Sequence, residues 1–490
     1  MAIVLVNKWR DPLACAFLGL LTAVHPLLSA ADAPVPPRVP MSLLERLNAP
    51  RPPNVVIVLA DDLGYGDLGC YGQKRIQTPN IDRLAAEGKR FTQFYAGTTV
   101  CAPSRAVLMT GRHSGHVSIR GNAAVPLATN ELTIAEMLKQ ANFQTGLIGK
   151  WGLGLSNTDS TPIKRGFDDF VGFLGQTHAH DYYPTQLYSK DRVFSLPQNE
   201  GGKKGRYSHD FFVTAASNYV RVAKYQPFFL YLAYTLPHAQ NELKDQGMPV
   251  PSAGHYATND WPAMEKNKAA MITRLDDALG LLMAQLKQLR IESNTVVFFT
   301  SDNGPHREGG VNPEFFNSSG PLRGIKRDLT EGGIRVPFIA WWPGHIAPGV
   351  VTNEVFAFWD MMPTIADLTA TKAPAGIDGI SFLPTLLGRA QTNRHDFLYW
   401  EFHEQGSKQA VRMGDWKALR LAPGAALELY DLSTDPAEKQ NVAAQHPETV
   451  AKIDEYLENA RTPSDYWPLR NLSEWQADQK KRRAGQEPVN

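Results

Sequence analysis

Cysteine is nearly missing from this chain, with three in 490 residues. That scarcity excludes a disulfide-built scaffold. Net charge is nearly missing too: 50 Lys and Arg stand against 49 Asp and Glu, a formal +1. No global field draws the chain to nucleic acid, so an anionic ligand has to be met by cations gathered locally. Past residue 28 no apolar run is long enough to cross a bilayer, which excludes stable membrane insertion of the body. The remaining composition, 43% hydrophobic and 20% charged, is ordinary for a globular protein. At this length one hydrophobic core is rarely enough, so a large domain with a smaller one is expected.

The N-terminus stands apart. Lys8 and Arg10 precede an apolar run from Leu13 to Leu28, broken by His25-Pro26, and Ser29-Ala30-Ala31 offers a small-residue cleavage site. Residues 1–31 read as a secretory signal peptide cut before Asp32, which implies a periplasmic or secreted protein. Cys15, at the start of the run with Pro12 close before it, does not fit lipid attachment. Residues 32–53 are proline-rich and read as a linker. After cleavage only Cys70 and Cys101 remain, free to pair with each other or to serve separately.

Three continuous apolar runs then read as strands buried on both faces: Val55–Ala60, Pro227–Tyr234 and Thr295–Thr300. The first ends in Asp61-Asp62, the second in Pro237-His238, the third in Ser301-Asp302-Asn303-Gly304. A shorter strand, Thr145–Gly149, leads into Lys150, and Pro337–Trp342 supplies another. Open α/β sheets place ligands at the carboxyl ends of parallel strands, where these polar residues lie. Helices are expected over Thr78–Gly88, over Leu132–Leu138, and along the stripe Ile272, Leu275, Leu279, Leu282, Leu286 and Leu289. Cys101-Ala-Pro-Ser-Arg105 opens a further helix ending near Gly111, with Pro103 in its first turn and Cys101 just outside it. Shorter strands at 396–400, 409–412 and 428–432, then a helix over 448–461, suggest a small C-terminal sheet-and-helix domain. The basic run Lys480–Arg483 reads as a solvated tail.

Cys-x-Pro-Ser-Arg followed by Thr110-Gly111-Arg112 resembles the signature of the type I sulfatases, arylsulfatase A-like members of the alkaline phosphatase superfamily. Further segments, in that family's order, are similar: Asn54 to Gly69 around Asp61-Asp62, Gly149-Lys150-Trp151, Gly324-x-Lys326, and Glu331-Gly-Gly-Ile-Arg335-x-Pro337. The resemblance spans about Asn54 to Trp342. It implies a catalytic domain over 54–375, with a large mostly parallel sheet flanked by helices, and a smaller antiparallel sheet-plus-helix domain over 376–490. It implies hydrolysis of sulfate monoesters by a Cα-formylglycine made from Cys101, which in turn implies a maturation enzyme as partner. It assigns catalytic roles to Cys101, Arg105, Lys150, His238 and Lys326, with Asp62 or a neighbour as proton acceptor. It makes Asp61, Asp62, Asp302 and Asn303, with the modified Cys101, the ligands of a metal ion. Three carboxylates and an amide oxygen form a hard donor set that favours Ca²⁺, and after it Mg²⁺, over zinc.

One departure stands out. Gly152 occupies a position where the family has a histidine, so His178 or His180 is expected to fill the space. His306, Glu308, Asn317, Tyr182 and Trp467, with those two histidines, are candidates to read a sulfated carbohydrate. Two other readings remain: a phosphonate or phosphate monoester hydrolase of the same superfamily, and a non-catalytic binder of sulfated glycans.

Overall fold

The chain was analysed as a computed structural model that describes residues 51–483. The expected signal peptide and nearly all of the proline-rich linker lie outside the described residues. Strands are numbered along the chain: β1 (Asn54–Ala60), β2 (Lys89–Tyr95), β3 (Gln144–Lys150), β4 (Asp169–Phe173) and β5 (Gln186–Ser189). Then come β6 (Arg192–Ser195), β7 (Phe228–Ala233), β8 (Thr295–Ser301), β9 (Arg335–Trp341) and β10 (Val350–Ala357). They form one ten-stranded sheet in the order β10-β2-β9-β8-β1-β7-β3-β4-β5-β6.

The run of neighbours β8, β1, β7, β3 and β4 is parallel throughout. Every residue of β1, β7 and β8 is buried, as their uninterrupted apolar spelling requires. Alternation within β1 sends Val55, Ile57 and Leu59 into one core and Val56, Val58 and Ala60 into another, one on each side of the sheet. The first core takes in the helix Cys101–Thr110, and the second takes in the long helix Ala263–Gln288. Because β8, β1, β7 and β3 are parallel and adjacent, their carboxyl ends deliver Asp302-Asn303, Asp61-Asp62, His238 and Lys150 to one edge.

Local chemistry sets several boundaries. The expected helix at Leu132 starts at Ile134 because Thr133 caps it: Glu136 N–H donates to the Thr133 hydroxyl, while the Glu136 carboxylate accepts the Thr133 N–H. Strands β2, β4, β5 and β6 and the helix Ser208–Ala223 were not apparent from composition. β2 opens on Lys89-Arg90, and β5 and β6 are a short pair with little buried surface. The basic run from Lys480 belongs to a helix, Leu472–Arg483, instead of an extended tail.

A second sheet is a simple antiparallel meander of β11 (Leu398–Phe402), β12 (Lys408–Met413), β13 (Trp416–Arg420) and β14 (Glu428–Asp431). One face packs Tyr399, Val411, Ala418 and Leu429 on Ile453 and Leu457 of the helix Pro447–Asn459. The other face, with Trp400, Phe402, Ala410 and Leu419, joins the core shared with the large sheet. A buried ionic bridge accompanies that junction. Lys417 Nζ lies 2.8 Å from Glu331 Oε1 and 3.4 Å from Glu438 Oε1, and all three side chains are fully buried. Burial opposes charge on Glu331, but Lys417 and Arg335 outweigh it and bring that carboxyl down to about 2.

Removing the cation of such a bridge leaves buried charge uncompensated. Lys417→Met should therefore cost about 3–5 kcal/mol, read as a lowered urea midpoint. An unchanged midpoint would show that the bridge does not hold the two sheets together.

Candidate active site

Each strand end is stitched to its neighbour, chiefly through the backbone. Asp302 N–H donates to Ala60 O at 3.1 Å, Asp61 N–H to Leu236 O at 3.0 Å, and Asp62 N–H to Asp302 Oδ1 at 3.1 Å. Asp62 holds a left-handed φ of 64°, which turns the chain sharply after β1 and separates the two adjacent carboxylates. The helix Cys101–Thr110 begins at Cys101 itself and not one residue later, and all ten of its residues are buried. Ser104 fixes its register by accepting Gly97 N–H at 3.0 Å and donating to Asp302 O at 2.6 Å.

The charged side chains then pair inward. Lys150 Nζ lies 2.8 Å from Asp61 Oδ2, and Lys326 Nζ lies 2.9 Å from Asp62 Oδ2. Arg105 donates Nε and Nη2 to Asp302 Oδ2 at 3.0 and 2.8 Å, and its Nη2 is 3.2 Å from Asp61 Oδ2. Its Nη1 reaches Lys150 O at 3.1 Å. Cys101 Sγ faces this ring, 3.2 Å from Asp61 Oδ1 and 3.9 Å from Asp62 Oδ1. A donor atom of His238 falls within 4.8 Å of ligating atoms of Asp61, Asp62 and Cys101.

Burial works against every charge here, and the neighbours decide the outcome. Burial would drive Asp61 up, yet Lys150 and Arg105 hold it well below the usual carboxylate range. Asp62 is held down against burial chiefly by Lys326. Asp302 goes the other way, pushed up to about 7 by burial and the Asp61 charge despite Arg105. Burial, with the carboxylates of Asp302 and Asp61, lifts the Cys101 thiol well above its ordinary range. As a plain cysteine it is protonated, and so a weak nucleophile.

The donor set fits a hard cation. Asn303 donates Nδ2 to Asp62 Oδ1 at 2.7 Å and to Gly304 O at 2.9 Å, which leaves its Oδ1 buried without a partner. An orphaned buried acceptor costs about 1–3 kcal/mol, and a divalent ion beside the three carboxylates would satisfy it. Asp61, Asp62 and Asp302 face Lys150, Lys326 and Arg105, so the two signs nearly balance and a bound divalent ion would leave the ring strongly cationic, suited to an anion.

His238 Nδ1 is 2.6 Å from Ala239 O, and its Nε2 is 3.1 Å from Lys326 Nζ. Nδ1 therefore carries the proton, and Nε2 accepts from the ammonium. Burial and Lys326 both keep the ring neutral. Tyr182, proposed above as a sugar reader, is fully buried and donates its hydroxyl to Thr235 O and His238 O.

Several expectations need correction. His178 does not reach the site: its ring lies edge-on to Phe173 with centroids 4.9 Å apart. His180 comes closer, stacked on His238 at 4.6 Å, but its one hydrogen bond among the described residues goes to Glu242 Oε1 at 3.1 Å, not to Cys101. His306 is fully buried, with Nε2 on Pro237 O and Nδ1 accepting Glu308 N–H, so it is unavailable to a sugar. Trp467 spends its indole N–H on Ser118 O. The space beside Gly152 is filled by Gln176, whose Nε2 would lie 2.3 Å from a Cβ built there and donates to Gly152 O at 3.2 Å. Nothing in the sequence marked Gln176, a single amide in a loop. Cys70 and Cys101 are not bonded to each other.

Comparison with known proteins finds similarity over most of the chain. The family model described as Sulfatase matches residues 53–371, and one described as N-sulphoglucosamine sulphohydrolase, C-terminal, matches 325–462. Arylsulfatase A of Homo sapiens is 33% identical over 84% of this chain and 88% of its own length. N-acetylgalactosamine-6-sulfatase of Rattus norvegicus is 32% identical over 92% of this chain and 88% of its own. Among solved structures, Ps i-CgsB in complex with k-i-k-neocarrahexaose is 30% identical, with TM-score 0.75 over 89% of this chain and 99% of that one.

Gly152 has φ +76°, and a Cβ there would press on the terminal amide of Gln176. Gly152→Ala should therefore lose about 1 kcal/mol or more, and adding Gln176→Ala should restore the steric part of that loss but not the backbone part. Urea denaturation of both variants tests this: a silent Gly152→Ala would contradict the left-handed strain, and a double variant no more stable than Gly152→Ala would mean that Gln176 does not crowd the space.

Proposed function

The chain belongs to the sulfatase family and is a sulfuric ester hydrolase, and from that premise we propose that it cleaves sulfate monoesters of carbohydrates with Cys101 matured to Cα-formylglycine and one bound Ca²⁺. The observation that carries this reading is the state of Cys101. A thiol buried against Asp61 and Asp302 is protonated, so the position needs another nucleophile. Formylglycine there would supply the hydrated aldehyde's hydroxyl groups, one to attack sulfur and one to expel sulfate afterwards. Asp61, Asp62, Asp302 and the free Oδ1 of Asn303 would hold the Ca²⁺, which would polarise the sulfate oxygens.

The protein's own groups account for the rest. Arg105, through paired N–H groups on Asp302, fixes the orientation of that carboxylate, which would be one of the groups holding the ion. Lys150 and Lys326 place two ammonium groups beside the anion, in a water-poor site where each counts for more than in solvent. Asp61 Oδ1, at 3.2 Å, is closer to the Cys101 side chain than Asp62 and is the better placed to take a proton from it. The leaving oxygen needs a proton, and the Lys326–His238 pair holds one between Nζ and Nε2 at 3.1 Å. Two relatives support the substrate class: one is named for N-acetylgalactosamine 6-sulfate, and another was solved with a neocarrahexaose. Export rests on the N-terminal reading; among the described residues no helix is long and apolar enough to cross a membrane.

Expressed with a maturation enzyme, the protein should carry an aldehyde on the peptide from Phe91 to Arg105, detected by mass spectrometry. It should hydrolyse 4-nitrophenyl sulfate well ahead of the phosphate or phosphonate analogue. A free thiol at Cys101 in fully active protein would refute the mechanism. Lys326→Ala should lower kcat about 10²–10⁴-fold. Asp302→Ala should bind less Ca²⁺ in equilibrium dialysis and lose the thermal stabilisation that Ca²⁺ gives the parent. Full activity after exhaustive chelation would remove the metal from the scheme.

A further inference from the structure

Five side chains stand between the buried ring and solvent. His180, 15% exposed, lies on the face of His238 and is held by Glu242, 49% exposed. On the other side Glu308 meets Lys326 at 3.1 Å and Arg327 Nη1 at 2.5 Å, and Arg327 Nε lies 3.3 Å from Glu404. Exposure rises from 3% or less on the Lys150, His238 and Lys326 side chains to 23–34% on Glu308, Arg327 and Glu404. These five are therefore the wall that a substrate meets beyond its sulfate.

The wall carries three carboxylates and a single guanidinium, a net of −2. Arg327 is already engaged by two of those carboxylates, and its backbone is pinned to the segment before Cys101 by its N–H on Thr99 O. The unused hydrogen-bonding atoms are mostly acceptors. Glu242 takes His180 Nδ1 on Oε1, which leaves Oε2 free and turns His180 Nε2 into an acceptor. Glu404 uses Oε2 and leaves Oε1 free among the described residues. We propose that this wall selects a sugar whose sulfate is its only anionic group near the site, the flanking positions being hydroxyl or amine donors. The inference rests on the sulfatase reading given above and specifies its substrate. A second sulfate or a carboxylate close to the first would meet the unused carboxylate oxygens of Glu242 and Glu404, and that repulsion is a discriminating device.

The test compares a hexosamine 6-sulfate with the same sugar bearing a second sulfate on its 4-hydroxyl, the nearest free one because C5 carries the ring oxygen. Both are assayed by sulfate release, with 4-nitrophenyl sulfate alongside. The matured wild-type protein should prefer the monosulfated sugar by about tenfold in kcat/KM, the scale of one like charge held close to a partly buried carboxylate. The preference should shrink as ionic strength rises. Glu404→Gln and Glu242→Gln keep the size and most of the hydrogen bonding, and each should narrow the preference by at least threefold. Equal or faster turnover of the disulfated sugar by the wild type would overturn the proposal, as would a ratio that neither variant moves. No turnover of 4-nitrophenyl sulfate would instead refute the sulfatase mechanism itself, so the two failures are distinct.

Discussion

Everything in the site depends on one balance, the mutual neutralisation of three buried carboxylates and three buried cations. Asp61 is its hinge, since it accepts from Lys150 at 2.8 Å, lies 3.2 Å from Arg105, and faces Cys101. Isolated, any of these charges would be prohibitively costly to bury. Together they stand at the carboxyl edge of four adjacent parallel strands, where backbone direction alone brings residues 61, 150, 238 and 302 into one place. The ring is thus a product of topology first and of side-chain pairing second. Because its charges nearly balance, one added divalent cation would be enough to make it anion-seeking.

Much of this was readable before any coordinates. Buried strands announce themselves by β-branched runs, and those runs end in the residues that matter, so Asp61, Asp62, Asp302, Asn303 and Lys150 could be named from strand ends and spelling. The small C-terminal sheet was legible in outline, although β13 was hidden because Trp416–Arg420 mixes aromatic, basic and apolar residues without clean alternation. The histidines were not legible. His178, His180 and His306 lie close to site motifs in sequence, yet loops decide where a side chain points, and no periodicity governs loops. His306 turned its ring nitrogens to the backbone although it lies 6.1 Å from His238, His178 turned to Phe173, and His180 stacked on His238 at 4.6 Å. Gln176 was invisible for the same reason, because the gap it fills is defined by a missing Cβ at Gly152.

The two sheets divide their labour unevenly. The large one carries the charged ring, while the meander contributes packing and the buried Lys417 bridge to Glu331. Yet the turn between β11 and β12 also brings Glu404 to Arg327, one residue from Lys326. A part of the chain remote in sequence thereby touches the rim without entering the ring. Such a hairpin can change length or charge without disturbing the buried network, which separates the evolution of selectivity from that of the reaction.

The burial of Cys101 has a consequence in time as well as in space. Its helix is enclosed along its whole length, and the residues that enclose its side chain come from Asp61 on one side of it in sequence to Lys326 far on the other. Once those distant segments have met, no second protein can grip the segment around residue 101. Any enzyme that alters this side chain would have to find it on a chain whose sheet has not yet closed, so covalent maturation of the kind proposed would compete with folding. Slowing closure would favour the modified product, and hastening it would trap the thiol.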